Sequence, residues 1–176
     1  MGGEQSYPSN RFCRMTPCPP RSPDPSRLLV VECHPSRASS GASPQSAWEY
    51  YNSRCIRLLR YLVRKEQWPP DLDLILVSSR YGAIDPGVMV DNYLPSPFPD
   101  APSRLQHVVH RSLMRQLQSR SYKELLVLAA GEFSPIRLNT VWYPSHLKIR
   151  IGTGSDRSQL RCLWEWLREP ASTNAG

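Results

Sequence analysis

The chain has 176 residues, of which 40% are hydrophobic and 9% aromatic, so it carries enough apolar material for one folded domain. This composition excludes wholesale disorder. The formal net charge of +7 favours a polyanionic partner such as nucleic acid, and a basic protein without such a partner is the alternative. No segment reaches the roughly 18 consecutive apolar residues of a membrane span, so we expect no membrane association.

Residues 1–26 contain six prolines and few aliphatic side chains, and therefore predict a tail or a surface-hugging arm. Residues 27–176 are expected to form a single domain. A second proline-rich segment, residues 93–102, predicts a long ordered loop in the middle of that domain.

Apolar periodicity from residue 27 onward predicts alternating strands and helices. The predicted strands are RLLVVEC (27–33), DLDLILVSS (71–79), ELLVLAAGEF (124–133) and HLKIRIG (146–152), the last near a sheet edge. The predicted helices are residues 46–68, with Ser46 and Glu49 as a capping box, residues 103–120, and residues 155–169, with Leu160, Leu163, Trp164 and Leu167 on one face. The pattern indicates an α/β fold with a mostly parallel central sheet of about four to five strands flanked by helices.

The five cysteines are an odd number in a chain whose first residues do not resemble a secretory signal. We therefore expect reduced thiols in a cytoplasmic protein. No two cysteines are spaced as Cys-x-x-Cys, and His107 and His110 on a predicted helix lack an evident third ligand. These spacings predict no metal and no other cofactor.

Each predicted strand changes abruptly from aliphatic to polar or glycine residues at its end. Ligands bind beyond the carboxyl ends of the strands in an open parallel sheet, so these ends predict a cleft. The residues expected to bind a base or another substrate there are Glu32, Ser79, Arg80, Tyr81, Gly82, Gly131, Phe133, Gly152 and Gly154.

Four residues near this edge are candidates for chemistry: Cys33, Ser78, Asp85 and Glu132. Cys33 is either a nucleophile with a lowered thiol pKa or a buried core thiol. Asp85 is either an acid/base carboxylate or part of an Asp-Pro-Gly turn. A carboxylate at Glu132 is less easily explained by turn chemistry.

Five basic residues are candidates for contacts with phosphates: Arg37, Arg137, Lys148, Arg150 and Arg157. Lysine and arginine neutralise phosphates and release counterions. A solvated charged face without a partner is the competing explanation.

Several motifs together resemble the YaaA-like and related uncharacterised bacterial domains. They are LLVVEC, SAWEYYNSRCIRLLRYL, LILVSSRYGAIDP, LLVLAAGEF and IGTGSDRSQLRCLWEWL, and they cover most of residues 27–169. The chain departs from the group at Arg80, where lysine is frequent, and in the proline-rich insert at residues 94–102.

This resemblance implies either DNA binding under oxidative stress or 7-deazaguanine chemistry. Within this group, the chain is similar to the DpdC components of bacterial DNA-modification systems. This likeness implies hydration of 7-cyano-7-deazaguanine in DNA to the 7-amido base, with other DNA-modification proteins as possible partners. In that reaction Ser78, Ser79 and Arg80 would donate hydrogen bonds, and Asp85 or Glu132 would be the base. Cys33 would be the alternative nucleophile, and the target base would be flipped out or single-stranded. The alternatives are a non-catalytic DNA-binding stress protein and a hydrolase of a free modified nucleoside.

Overall fold

The computed structural model of the protein describes residues 17–33, 44–78, 80–91, 102–129 and 143–170. Six residues named above as site candidates lie outside these ranges: Arg37, Ser79, Gly131, Glu132, Phe133 and Arg137.

A five-stranded sheet with the order β4-β3-β1-β6-β7 forms the centre of the molecule. The strands are β1 (Arg27–Cys33), β3 (Leu72–Ser78), β4 (Gly82–Ile84), β6 (Glu124–Leu128) and β7 (Lys148–Gly152). All neighbouring strands are parallel except β4, which runs antiparallel to β3. The predicted α/β fold with a mostly parallel sheet is therefore confirmed.

The three central strands are buried along their length and mostly apolar, because helices cover both faces of the sheet. On one face, α1 (Ala47–Tyr50), α2 (Arg54–Arg64) and α4 (Asp156–Arg168) enclose the first core cluster. On the other face, α3 (Pro102–Ser119) covers a second cluster. A separate two-stranded sheet joins β2 (Gln45–Ser46) to β5 (Met89–Val90). Within the described ranges, no helix has the length and apolar character needed to cross a membrane.

The predicted helix over residues 46–68 is wrong in one respect, because it is divided into α1 and α2. The capping box at its start is present, since the Glu49 amide donates to Ser46 Oγ at 3.3 Å. A second cap follows at Ser53, whose Oγ accepts from the Ile56 amide at 3.2 Å and begins α2. The guanidinium of Arg60 donates to the carbonyl oxygens of Trp48 and Tyr51, which satisfies groups that the break leaves open.

The described part of the proline-rich segment, residues 17–26, lies against the domain. The Trp48 indole donates to the carbonyl oxygen of Pro17 at 3.0 Å, and Arg120 donates to that of Ser22 at 2.7 Å. In addition, Arg21 forms an ion pair with Asp85. Residues 17–26, which we call the arm, thus contact α1, the residue after α3 and the turn after β4.

Candidate functional site

The carboxyl edge of the sheet brings together three of the four predicted strand ends. Cys33 of β1 and Ser78 of β3 are paired in the register, and Gly152 of β7 is paired with Leu128 of β6. The fourth predicted set, at residues 131–133, lies outside the described residues.

Ser78 is fully buried, and its hydroxyl closes the turn that follows β3. Ser78 Oγ accepts from the backbone amides of Arg80 at 3.2 Å and Tyr81 at 3.3 Å. Gly82 then has a φ of +72°, a left-handed conformation that glycine adopts at no steric cost, and it begins β4. The polar run after this strand therefore has a structural cause, the reversal of the chain into an antiparallel strand.

The other predicted binding residues in this region differ in exposure. Glu32 is buried on β1, whereas Arg80 is exposed and its guanidinium carbon lies 5.5 Å from the ring centroid of Tyr81. The Tyr81 hydroxyl accepts from the Asp91 amide at 3.1 Å. Tyr81 therefore links the turn to the end of the short β5 segment.

Cys33 lies in the first core cluster with 1% of its surface exposed. Its thiol donates to the carbonyl oxygen of Val31 at 3.5 Å. Burial raises the pKa of the Cys33 thiol far above its ordinary value, and the nearby Glu32 carboxylate acts in the same direction. The thiol is thus neutral near pH 7, which favours the core-thiol interpretation over the nucleophile.

The glycine turn after β7 is held by a residue that sequence reasoning missed. Gln159 of α4 is buried, and its side-chain amide donates to the carbonyl oxygens of Ala129 at 3.0 Å and Gly154 at 3.2 Å. Gly154 itself has a φ of +93°, and Ser155 caps α4 by accepting from the Ser158 amide. The sequence does contain a signal for this contact: a glutamine lies on the apolar face of the helix, one turn after its N-cap.

Asp85 does not lie at the carboxyl edge with Cys33 and Ser78. Because Ile84 pairs with Leu76, Asp85 is displaced three residues from Ser78 toward the amino end of β3, or about 10 Å at the rise of a strand. Asp85 Oδ1 accepts from the Gly87 amide at 3.0 Å, as expected for an Asp-Pro-Gly turn, and Arg21 pairs with the other oxygen.

Asp85 instead lines a cavity of about 120 Å³ between the arm, β3, β4 and α3. Asp73 lies at the wall of this cavity and accepts from the Tyr122 hydroxyl at 2.7 Å and from the Ser22 amide at 3.2 Å. Ligand pockets usually measure about 300 Å³ or more. This cavity is therefore smaller than a usual ligand pocket, and its carboxylates already have donors.

The predicted phosphate-binding residues are only partly available. Arg150 forms an ion pair with Glu169 at 2.9 Å, and its hydrogen bond lowers the pKa of that carboxyl. Lys148 is exposed, with its ammonium 3.8 Å from Glu124 Oε1. Arg157 is exposed at the start of α4 and has no ion pair with a described residue.

Among the described residues, positive charge is concentrated on the outer side of α2 and α4, which pack against each other. We call this surface the cationic face. It consists of the exposed residues Arg54, Arg57, Tyr61, Arg64 and Lys65 on α2 and just after it, and Arg157, Arg161, Trp164 and Arg168 on α4. Steps of three and four residues place each set on one stripe of a helix with 3.6 residues per turn.

Little negative charge opposes these cations. No acidic residue occurs between positions 54 and 65, and the exposed acids at the helix ends and on α4 are Glu66, Asp156 and Glu165. None of the seven cations forms an ion pair with a described acidic residue. Sequence reasoning identified Arg157 but missed the other members, although their helical spacing was readable.

Two aromatic side chains lie within the cationic face. Tyr61 is 47% exposed and Trp164 is 45% exposed, with Lys65 Nζ 6.0 Å from the Tyr61 centroid and the Arg168 guanidinium 5.7 Å from the Trp164 centroid. The prediction that Trp164 lies on one face of α4 with Leu163 is wrong, because Leu163 is fully buried and Trp164 is exposed. Trp166 is the buried indole instead, and it donates to Glu124 Oε2 at 3.1 Å.

Comparisons with known proteins return no match for this chain among protein-family models, curated proteins or solved structures. In the described part of the chain, no group of three or more His, Cys, Asp or Glu side chains is arranged to hold a metal ion.

Proposed function

We propose that this protein binds nucleic acid through the cationic face. The observation that carries the proposal is the pair of neighbouring stripes, which together present seven cations without a described ion-pair partner. Cations three or four residues apart on a helix are separated by about 5 Å along its axis. This spacing is suited to successive phosphates, and the affinity of such a surface depends strongly on salt.

Arginine supplies six of the seven cations, which favours phosphate as the target. Its planar guanidinium donates two parallel hydrogen bonds to phosphate oxygens, whereas lysine acts as a point charge. Each stripe spans twelve residues, or about 16 Å along the helix from its first to its last member. A polyanion can therefore contact several cations on each helix at the same time.

Two matched double variants test the proposal. The variant R157Q/R161Q removes two charges from the cationic face, and R111Q/R115Q removes two exposed charges from α3 on the opposite side of the sheet. Because single-strand binding has a slope of about 0.7 per phosphate contact, R157Q/R161Q should lower the salt slope by about 1.4 and the affinity about 25-fold at 0.1 M salt. Fluorescence anisotropy with labelled oligonucleotides measures both quantities.

The control variant has the same net charge but should keep its affinity within about twofold, because its charges lie outside the proposed contact surface. Equal losses in the two variants would show that only net charge matters and would contradict the cationic face as the binding surface. Absence of salt-sensitive binding by the unmodified protein would contradict the function itself.

Hydration of 7-cyano-7-deazaguanine in DNA is a second proposal. Its support is the resemblance described above, together with the position of Ser78 at the carboxyl edge of the sheet, where ligands bind in open parallel sheets. Water adds to the nitrile carbon, its protons pass to nitrogen, and the product is the carboxamide. Since the raised pKa keeps Cys33 neutral, attack by water is favoured over a thioimidate route.

Mass spectrometry of digested DNA that contains the cyano base tests this reaction. We expect the modified base to gain the mass of one water, and Cys33→Ala to retain the conversion. No gain of mass with the unmodified protein would contradict the reaction. Loss of conversion in folded Cys33→Ala would instead support the thiolate route.

A further inference from the structure

The two stripes of the cationic face repeat one arrangement. In α2, Arg54 and Arg57 precede Tyr61, and Arg64 and Lys65 follow it; in α4, Arg157 and Arg161 precede Trp164, and Arg168 follows it. An aromatic ring thus lies one helical turn from a cation on either side, once in each helix. A surface that only neutralised phosphates would have no use for a half-exposed ring in this position.

We infer that the cationic face binds single-stranded nucleic acid in preference to a duplex, with bases stacking on Trp164 and Tyr61 while the flanking cations contact the phosphates. This inference rests on the proposed function and specifies its ligand. Aromatic rings interleaved with cations suit single strands because unpaired bases offer their faces to a ring. In a duplex those faces are covered by neighbouring base pairs, and the helix exterior presents phosphates.

The composition of the face favours nucleic acid over an anionic membrane. Among the described residues, Tyr61 and Trp164 are the large hydrophobic side chains exposed on this face. The remaining exposed ones, Val88, Met89, Val108 and Ile151, lie on other elements. A helix that lies in a membrane interface needs a continuous apolar face, whereas here each ring stands among cations.

Competition between strand types tests the inference. A labelled 20-nucleotide single strand and the same sequence as a duplex are titrated with the full chain at about 0.15 M salt, with anisotropy as the readout. The single strand should bind about 10-fold more tightly, and Trp164→Ala should weaken its binding on the order of 10-fold, since stacking contributes substantially for each base. The conservative Trp164→Phe should restore most of the affinity.

Ile151→Ala is the matched control. Ile151 is 46% exposed on β7, close to the 45% of Trp164, but it lies outside the cationic face. This variant should bind both strand types with unchanged affinity, and Trp164→Ala should change duplex binding by less than about twofold. Circular dichroism of each variant establishes that it is folded.

The outcomes separate this inference from the function on which it rests. If both strand types bind with salt-sensitive and equal affinity, and Trp164→Ala has no effect, the proposed function stands and the single-strand preference is overturned. If neither strand type binds, both are overturned. Binding to vesicles that contain anionic lipid, without binding to oligonucleotides, would also overturn both and identify a membrane surface as the partner.

Discussion

The carboxyl edge of the sheet and the cationic face both carry polar residues, but they use them in opposite ways. At the edge, Ser78 Oγ accepts two backbone amides and the Gln159 amide donates to two carbonyls. On the cationic face, seven charged side chains extend into solvent without an ion pair to a described residue. The polar groups at the edge form hydrogen bonds within the fold, whereas the charges on the cationic face remain available to bind another molecule.

This difference teaches that the position of a polar residue in a fold class does not by itself identify a binding residue. Buried polar atoms must be hydrogen-bonded, and an internal partner is the usual solution. Exposed cations gain little from the fold, so their accumulation on one surface points to an external anion. Changes at the edge should therefore reduce stability, and changes on the face should reduce binding.

The largest expected effect on stability comes from Gly152→Ala at the carboxyl edge. A Cβ atom at Gly152 would lie 2.7 Å from Cδ2 of the fully buried Leu128 and 3.2 Å from Sγ of the partly buried Cys162. Relieving this overlap should cost about 2 kcal/mol of unfolding free energy, measured by urea denaturation. Oligonucleotide affinity should stay unchanged under conditions where the variant is folded.

Gly87→Ala is the control, because its added Cβ would lie 3.5 Å from Asp85 Oδ1, an ordinary contact. Its unfolding free energy should change by no more than about 0.5 kcal/mol. A loss of binding in folded Gly152→Ala would show that the edge also contacts the nucleic acid. It would contradict the assignment of stability to the edge and of binding to the cationic face.

The smallest expected effect on stability comes from a single charge on the cationic face. Arg161→Gln should leave the unfolding free energy within about 0.5 kcal/mol, while single-strand affinity falls about fivefold at 0.1 M salt and the salt slope falls by about 0.7. Arg150→Gln is a matched substitution, because Arg150 is already paired with Glu169. It should change the affinity by less than about twofold.

A loss of affinity in Arg150→Gln as large as that in Arg161→Gln would change the boundary of the proposed binding surface. It would place the polyanion across β7 as well as α4, in contrast to a binding surface limited to α2 and α4. Salt titrations of both variants by anisotropy, run in parallel, distinguish the two placements.

Much of the fold could be predicted because strong local patterns decided it. The apolar runs of β1, β3 and β6 indicated buried parallel strands, and the structure confirms them. The break between α1 and α2 was missed because Arg60 stabilises it through backbone carbonyls that the chain brings close only after folding. The short β4 was missed because its three residues pair only by reversing onto β3.

The candidate site was less predictable than the fold. Sequence reasoning placed Asp85 with the strand ends, but the antiparallel direction of β4 carries it toward the amino end of β3. It also placed Trp164 on the same face of α4 as three leucines, but Trp164 is exposed. Trp166 is buried instead, beside Glu124 and under the Arg27 guanidinium. Which of two nearby indoles is buried depends on the orientation of α4 about its own axis relative to the sheet.

By itself, the sequence determined the alternating elements, the caps at Ser46 and Ser155, and the excess of arginine, because all of these depend on neighbouring residues or on composition. Only the tertiary structure decided that α2 and α4 pack side by side and place their stripes on one surface. It also decided that the hydroxyl of Ser78 accepts hydrogen bonds from the backbone amides of Arg80 and Tyr81. These outcomes depend on contacts between distant segments, and local propensity carries no information about such contacts.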